Sequence, residues 1–321
     1  DTATYDGNPH SVEGYEVTNI SNKLYKVNNI GFTGEAKAEG TAAGTYQMNL
    51  TAQQFSNISQ NFTDVEFVVE DGSLTINPKS ITPDGPDTPK EEKTGITVTD
   101  PENSIYDGNE HINGLTVTDS KLNTTLVEGT DYTLTYSGDL INVGTVTITV
   151  KGIGNYTGEF TKTYQILPRE YTVTTNTDSK VYDGTALTAG GKVSGIVKGE
   201  TVDFTITGSQ TSVGTSDNTY ELNWTGTAKE SNYTHGKDSI GTLTVKAKSI
   251  VPDGPDTPDE KKTGITVSDP SDSKYDGKEH REVLTVQDTK KNDELVAEKD
   301  YSVTYSDDLV NAGTITITVE G

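Results

Sequence analysis

The sequence predicts an all-β chain: a tandem array of four small antiparallel β-sandwich modules of the immunoglobulin-like type. Three observations predict it. Apolar residues alternate with threonine in run after run, the pattern of strands with one face buried. Clusters of Gly, Asn and Asp interrupt these runs about every 8 to 12 residues, the turn spacing of sandwiches and barrels. No segment of helix length carries an amphipathic period, and the least strand-like stretch, Thr51 to Gln60, has room for one helical turn. Were that stretch helical and packed across the strands, the alternative would be β-grasp-like open sheets.

The alternation fixes the expected core faces. Tyr132, Leu134 and Tyr136 share one side of a strand with Thr133 and Thr135 on the other, and Val146, Ile148 and Val150 alternate with Thr147 and Thr149. Phe160, Tyr164 and Ile166 form the last such stripe. The pattern returns at Tyr301, Val303, Tyr305 and at Ile315, Ile317, Val319. Elsewhere it is carried by Val202, Phe204, Ile206, then Tyr220, Leu222, Trp224, then Leu243 and Val245. Threonine suits the outer face because its β-branch fits a pleated, half-solvated surface.

Internal repetition sets the domain organisation. The tripeptide Tyr-Asp-Gly occurs at Tyr5-Asp6-Gly7, Tyr106-Asp107-Gly108, Tyr182-Asp183-Gly184 and Tyr275-Asp276-Gly277. Each copy precedes a [Val/Ala]-Gly-Thr marker, at Ala43, Val143, Val213 and Ala312. Three copies also precede Asn-[Tyr/Phe]-Thr, at Asn61, Asn155 and Asn232. Tyr106 and Tyr275 lie 169 residues apart, and Lys79 to Val98 recurs at Lys248 to Val267 with the same offset and only three differences. Duplication of a two-module unit, B followed by A, accounts for this. The expected boundaries are 1–78 for module B1 (first strand missing), 79–94 for a Pro/Asp-rich linker and 95–168 for module A1. They continue with 169–247 for module B2, 248–263 for a second Pro/Asp-rich linker and 264–321 for module A2 (last strand missing).

Composition excludes several functions. A formal net charge of −24 opposes nucleic-acid binding, which requires basic surface, and disfavours contact with anionic membranes. Zero cysteines rule out disulfides and cysteine-based zinc sites. No transmembrane run appears in the 321 residues. No cysteine nucleophile, HExxH, phosphate-binding Gly-rich loop or GxSxG elbow occurs, so no catalytic residue and no enzyme activity is expected.

Each candidate site has a structural reading beside it. Asp-Gly in the Tyr-Asp-Gly marker favours a tight turn, and the Tyr can bury its ring at a module edge. These twelve marker residues are therefore read as folding determinants. His10, His111 and His280 follow the marker Tyr by five residues, but Leu187 replaces them in the second B module; one histidine per module falls short of a zinc site. Asp84 with Asp87, and Asp253 with Asp256, are candidate calcium ligands at the module junctions. Their spacing differs from a calcium loop, which leaves a charged, solvated linker as the leading reading and no cofactor expected. Trp224 falls on the apolar face and is expected in the core. A Lys–Asn amide cross-link would need a recurring buried Lys, and none recurs at one strand position across all four modules.

The motifs Asp178-Ser-Lys-Val-Tyr-Asp-Gly-Thr-Ala-Leu, Thr207-Gly-Ser-Gln-Thr-Ser-Val-Gly-Thr-Ser and Ile240-Gly-Thr-Leu-Thr-Val resemble the YDG/MBG-type repeats of large Gram-positive surface proteins. The second B module resembles them along its whole length, whereas the first lacks the Gly-Ser-Gln-Thr signature. The resemblance implies an extracellular, cell-wall-associated repeat region of an adhesin-like protein, and it supplies no catalytic or ligand residues. The expected role is a monomeric, elongated, semi-rigid acidic stalk that projects a distal domain, with host glycoprotein or glycan reached through flanking domains. The alternatives are a multivalent binding array for host glycans or glycoproteins, or spacer domains of a secreted polysaccharide-degrading enzyme.

Overall fold

Alternating threonine and aliphatic residues do form strands. In the computed structural model, which describes residues 1–306 and 308–321, strand Gly144–Gly152 buries Val146, Ile148 and Val150 completely while Thr147 and Thr149 stay partly exposed. It pairs antiparallel with Tyr132–Ser137 on one side and Glu159–Leu167 on the other. Tyr132, Tyr164 and Ile166 complete the buried stripe. Among the described residues there is no α-helix, only the 3₁₀ turns Val27–Asn29, Ala52–Gln54, Glu230–Asn232 and Asp259–Lys261. Among these described residues no helix is long and apolar enough to cross a membrane.

The chain divides into two units, Asp1–Arg169 and Glu170–Gly321. One sheet pattern occurs twice in the first. Strand Ser73–Asn77 is flanked by Thr2–Thr4, which runs parallel to it, and by Gly44–Gln47, which runs antiparallel. Strand Glu159–Leu167 is flanked likewise by Ser104–Ile105 and Gly144–Gly152. In the second unit Thr242–Lys246 lies between parallel Asp178–Val181 and antiparallel Gly214–Asp217. The strand entering each of these three Tyr-Asp-Gly markers thus pairs parallel with a later central strand. The antiparallel neighbour starts in the [Val/Ala]-Gly-Thr marker. The backbone amides of Tyr5, Tyr106 and Tyr182 close the parallel ladder onto the carbonyls of Asn77, Leu167 and Lys246, each at 2.9 Å.

The expected immunoglobulin-like sandwiches are not found. The strands form many small, mostly open sheets of two to four strands, several of them mixed rather than antiparallel. Their cores are local, such as Ala38, Met48, Leu50, Leu74 and Ile76 in the first unit and Leu187, Leu243 and Val245 in the second. The physical reason is pairing direction. Alternation shows which residues face inward but not which distant strand they meet, and the parallel closure takes the edge an antiparallel partner would need. The helix of the β-grasp alternative is absent too, since Thr51 to Gln60 holds a single 3₁₀ turn capped by Thr51 and Gln54.

Because Ile148 is fully buried on a central strand, Ile148→Ala is expected to lower the unfolding free energy of the first unit by about 2–5 kcal/mol. Thr149→Ala, on the other face, should stay within about 1 kcal/mol. Urea titration of the two variants checks the difference.

Candidate functional site

The four markers fold into one kind of turn. Asp6, Asp107, Asp183 and Asp276 each accept a hydrogen bond at 2.9 Å from the backbone amide two residues on, at Asn8, Asn109, Thr185 and Lys278. The glycine after each has φ between 78° and 83°, a region open to glycine at no steric cost. His10 and His280 place Nε2 2.9 Å from Asp6 and Asp276. His111 lies 3.1 Å from Asp107, out of hydrogen-bonding alignment. Where the histidine is replaced by Leu187, Lys180 reaches Asp183 instead, at 2.8 Å. The backbone amides hold Asp6, Asp107 and Asp276 below the ordinary aspartate range, the histidines adding to this at Asp6 and Asp276. Lys180, then the Thr185 amide, hold Asp183 lower still.

Tyr106 is buried, Tyr5 and Tyr182 are half-buried, and Tyr275 is exposed. Within the first unit the markers meet one another. The Tyr5 ring sits edge-on to Tyr156 at 5.8 Å. The Ala43 amide donates to Asn155 Oδ1 at 2.8 Å, and a Cβ on Gly7 would meet Leu122 at 3.1 Å. In the second unit Lys291, 169 residues after Leu122, lies over the Tyr182 ring at 4.6 Å and against Gly184.

Beside this contact lies a buried ion pair that the sequence reading missed. Lys79 begins the short strand Lys79–Ser80, parallel to Tyr156–Thr157, and its Nζ is 2.5 Å from Asp119, a residue with no exposure. The Tyr156 hydroxyl donates to the same carboxylate oxygen at 3.2 Å. The other oxygen accepts the Lys121 and Leu122 amides. Lys248 and Asp288 repeat the pair at 2.6 Å in the second unit. The signal was present in the sequence, since Lys and Asp recur together at the 169-residue offset.

Asp84 and Asp253, the candidate calcium ligands, are held in loops. Asp84 accepts from the Thr94 and Gly95 amides and the Thr94 hydroxyl at 2.7–3.0 Å, and Asp253 does the same with Thr263 and Gly264. Burial works to raise both carboxyls, but these donors hold them below the ordinary range. Asp87 and Asp256 are exposed turn residues. Among the described residues no group of three or more His, Cys, Asp or Glu is placed to hold a metal ion.

Aromatic rings gather in two part-exposed clusters. In the first unit Phe32 and Phe55 face each other across paired strands Ile30–Phe32 and Phe55–Asn57, 5.0 Å apart. Tyr15 packs on both at 4.9 Å and keeps 40% of its surface exposed. Phe67 extends the cluster, 6.0 Å from Phe55. Tyr15 and Phe32 line a shallow cleft of about 330 Å³ together with Glu13, Glu35 and Lys37. In the second unit Trp224, expected in the core, is half-buried instead. It lies edge-on to Tyr171 at 5.2 Å and stacks on Tyr233 at 5.3 Å, while His235 stacks on Tyr171 at 4.7 Å. The Tyr15 cluster was not legible as a motif, because its rings come from distant positions. One hint was available, since Phe32, Phe55, Phe62 and Phe67 are four of the chain's six phenylalanines.

A family model described as the MBG domain matches residues 1–78, the part of the chain that carries the Tyr15 cluster. A search of curated proteins gave no match. The chain is thus an all-β protein with a small adhesin-associated domain at its start. The match falls on the first B module, not on the second, whose motifs carry the fuller resemblance.

Two results are expected from this geometry. A carboxylate held below its unfolded value adds stability that is complete above about pH 4 and is lost as pH falls through the lowered value. Thermal stability should therefore fall between about pH 4 and pH 2, and the fall should be smaller in Asp6→Asn, measured by circular dichroism across that range. Lys79→Ala leaves Asp119 buried without its cation and is expected to cost about 3–5 kcal/mol. The double variant Lys79→Met with Asp119→Asn, which removes both charges and keeps an acceptor for the Lys121 and Leu122 amides, should recover part of that loss in urea titration.

Proposed function

We propose that this chain is a non-enzymatic binding segment of an extracellular, bacterial cell-surface protein of the adhesin type, and that its aromatic clusters engage host glycans or glycoproteins. The observation that carries this reading is the Tyr15–Phe32–Phe55 cluster, set beside an open cleft within the adhesin-associated domain. Rings with an exposed face give a sugar an apolar platform, and neighbouring carboxylates accept its hydroxyl hydrogens. Sites of this open kind bind weakly one at a time, and repetition along a chain raises the total by effective concentration. The marker residues support a binding scaffold over a catalyst, because their carboxylates serve the turn amides, His10, His280 and Lys180.

The protein immobilised at high density is expected to retain glycans on an array at micromolar to millimolar affinity. Tyr15→Ala should weaken that binding about threefold to tenfold with the fold unchanged by circular dichroism. No retention of any glycan by the dense surface would overturn the proposal.

A further inference from the structure

Resting on the glycan-binding reading, we infer that the Tyr15 cleft takes uncharged sugar units and excludes sialylated, uronic or sulfated ones. An anionic sugar is held most strongly where a cation is free to meet it. Among the described residues Lys37 is the one basic side chain lining this cleft, and it is already committed. Its Nζ sits 2.5 Å from Glu39 and 3.3 Å from Glu13, and these glutamates, Glu39 foremost, raise its pKa. It stays protonated, with its charge already answered.

The remaining polar groups point the same way. Glu13 and Glu35 are exposed on the cleft; ionised carboxylates accept hydrogen bonds from sugar hydroxyls but repel an incoming carboxylate or sulfate. The field around the site adds to this local effect. Residues 1–78 carry ten Asp and Glu against three Lys, so an acidic glycan meets like charge on approach. His10, at the head of the strand that leads to the cleft, has its ring nitrogen on Asp6 and adds no free cation there. What is left to hold a ligand is the part-exposed Tyr15 ring with Phe32 tilted at 52° against it, an apolar surface on which the C–H face of a neutral pyranose can pack. The cleft's volume is at the small end for ligand sites, fitting a terminal sugar or a short stretch of chain.

The test uses the whole chain on an array of matched glycan pairs, each presented with and without terminal sialic acid or sulfate. The expected result is binding of the uncharged member at least about tenfold above its acidic partner. That binding should change little between low and high salt, fall with Tyr15→Ala and persist in Lys37→Gln. Glu35→Lys, which adds an unanswered cation to the rim, should narrow the preference. Equal or stronger binding of the acidic members, or loss of binding in a folded Lys37→Gln, would overturn the inference and leave glycan binding standing. Silence on every glycan would overturn both.

Discussion

One buried charge pair ties the strand that starts at Lys79 to Asp119 in the first unit. Lys79 leaves the adhesin-associated domain and immediately places its ammonium against Asp119, with Tyr156 and two backbone amides completing the carboxylate's hydrogen bonds. Removing two charges from water is costly, and such a pair persists only when every lone pair and proton has a partner. That demand fixes the path of the chain. The strand at Lys79 must lie beside Tyr156, the turn after Asp119 must offer its amides, and the Tyr5 ring, packed on the core of Leu74 and Ile76, meets the Tyr156 edge. A pair of this kind adds little net stability over apolar packing, but it tolerates almost no alternative arrangement. Its value is in specifying which element meets which.

The Tyr-Asp-Gly turns do the same work at shorter range. Each Asp caps the amide two residues on, and each Gly takes the positive φ that lets the chain reverse. In three modules the preceding strand is thereby aligned parallel to a central strand that arrives tens of residues later. The turn accompanies the parallel pairing in these three copies, and the aliphatic stripe determines the face. Together they give open, mixed sheets with small private cores, leaving Tyr15 part-exposed and Trp224 half-buried rather than in a shared interior.

Much of this was legible in the sequence. Alternation located the strand at Val146 to Val150 and the sides of it that are buried, because a period of two is a property of the strand alone. The markers were found because they repeat. Pairing direction was not legible, since no local pattern distinguishes a parallel from an antiparallel partner, and the sandwich expectation failed on that point. The ring cluster of Tyr15, Phe32, Phe55 and Phe67 escaped for a related reason: its members share a surface only after separate hairpins have closed. Lys79 was read as part of a linker because it sits beside Pro-rich sequence, although burial makes it a core residue.

The place where the marker turn meets its neighbour is occupied by Leu122 in one unit and by Lys291 in the other. An apolar tip and a cation both settle there, the first against the bare glycine, the second over the tyrosine ring. A seam that accepts either chemistry constrains its occupant by reach rather than by polarity, so this position can exchange a hydrocarbon for an ammonium without disturbing the turn it leans on.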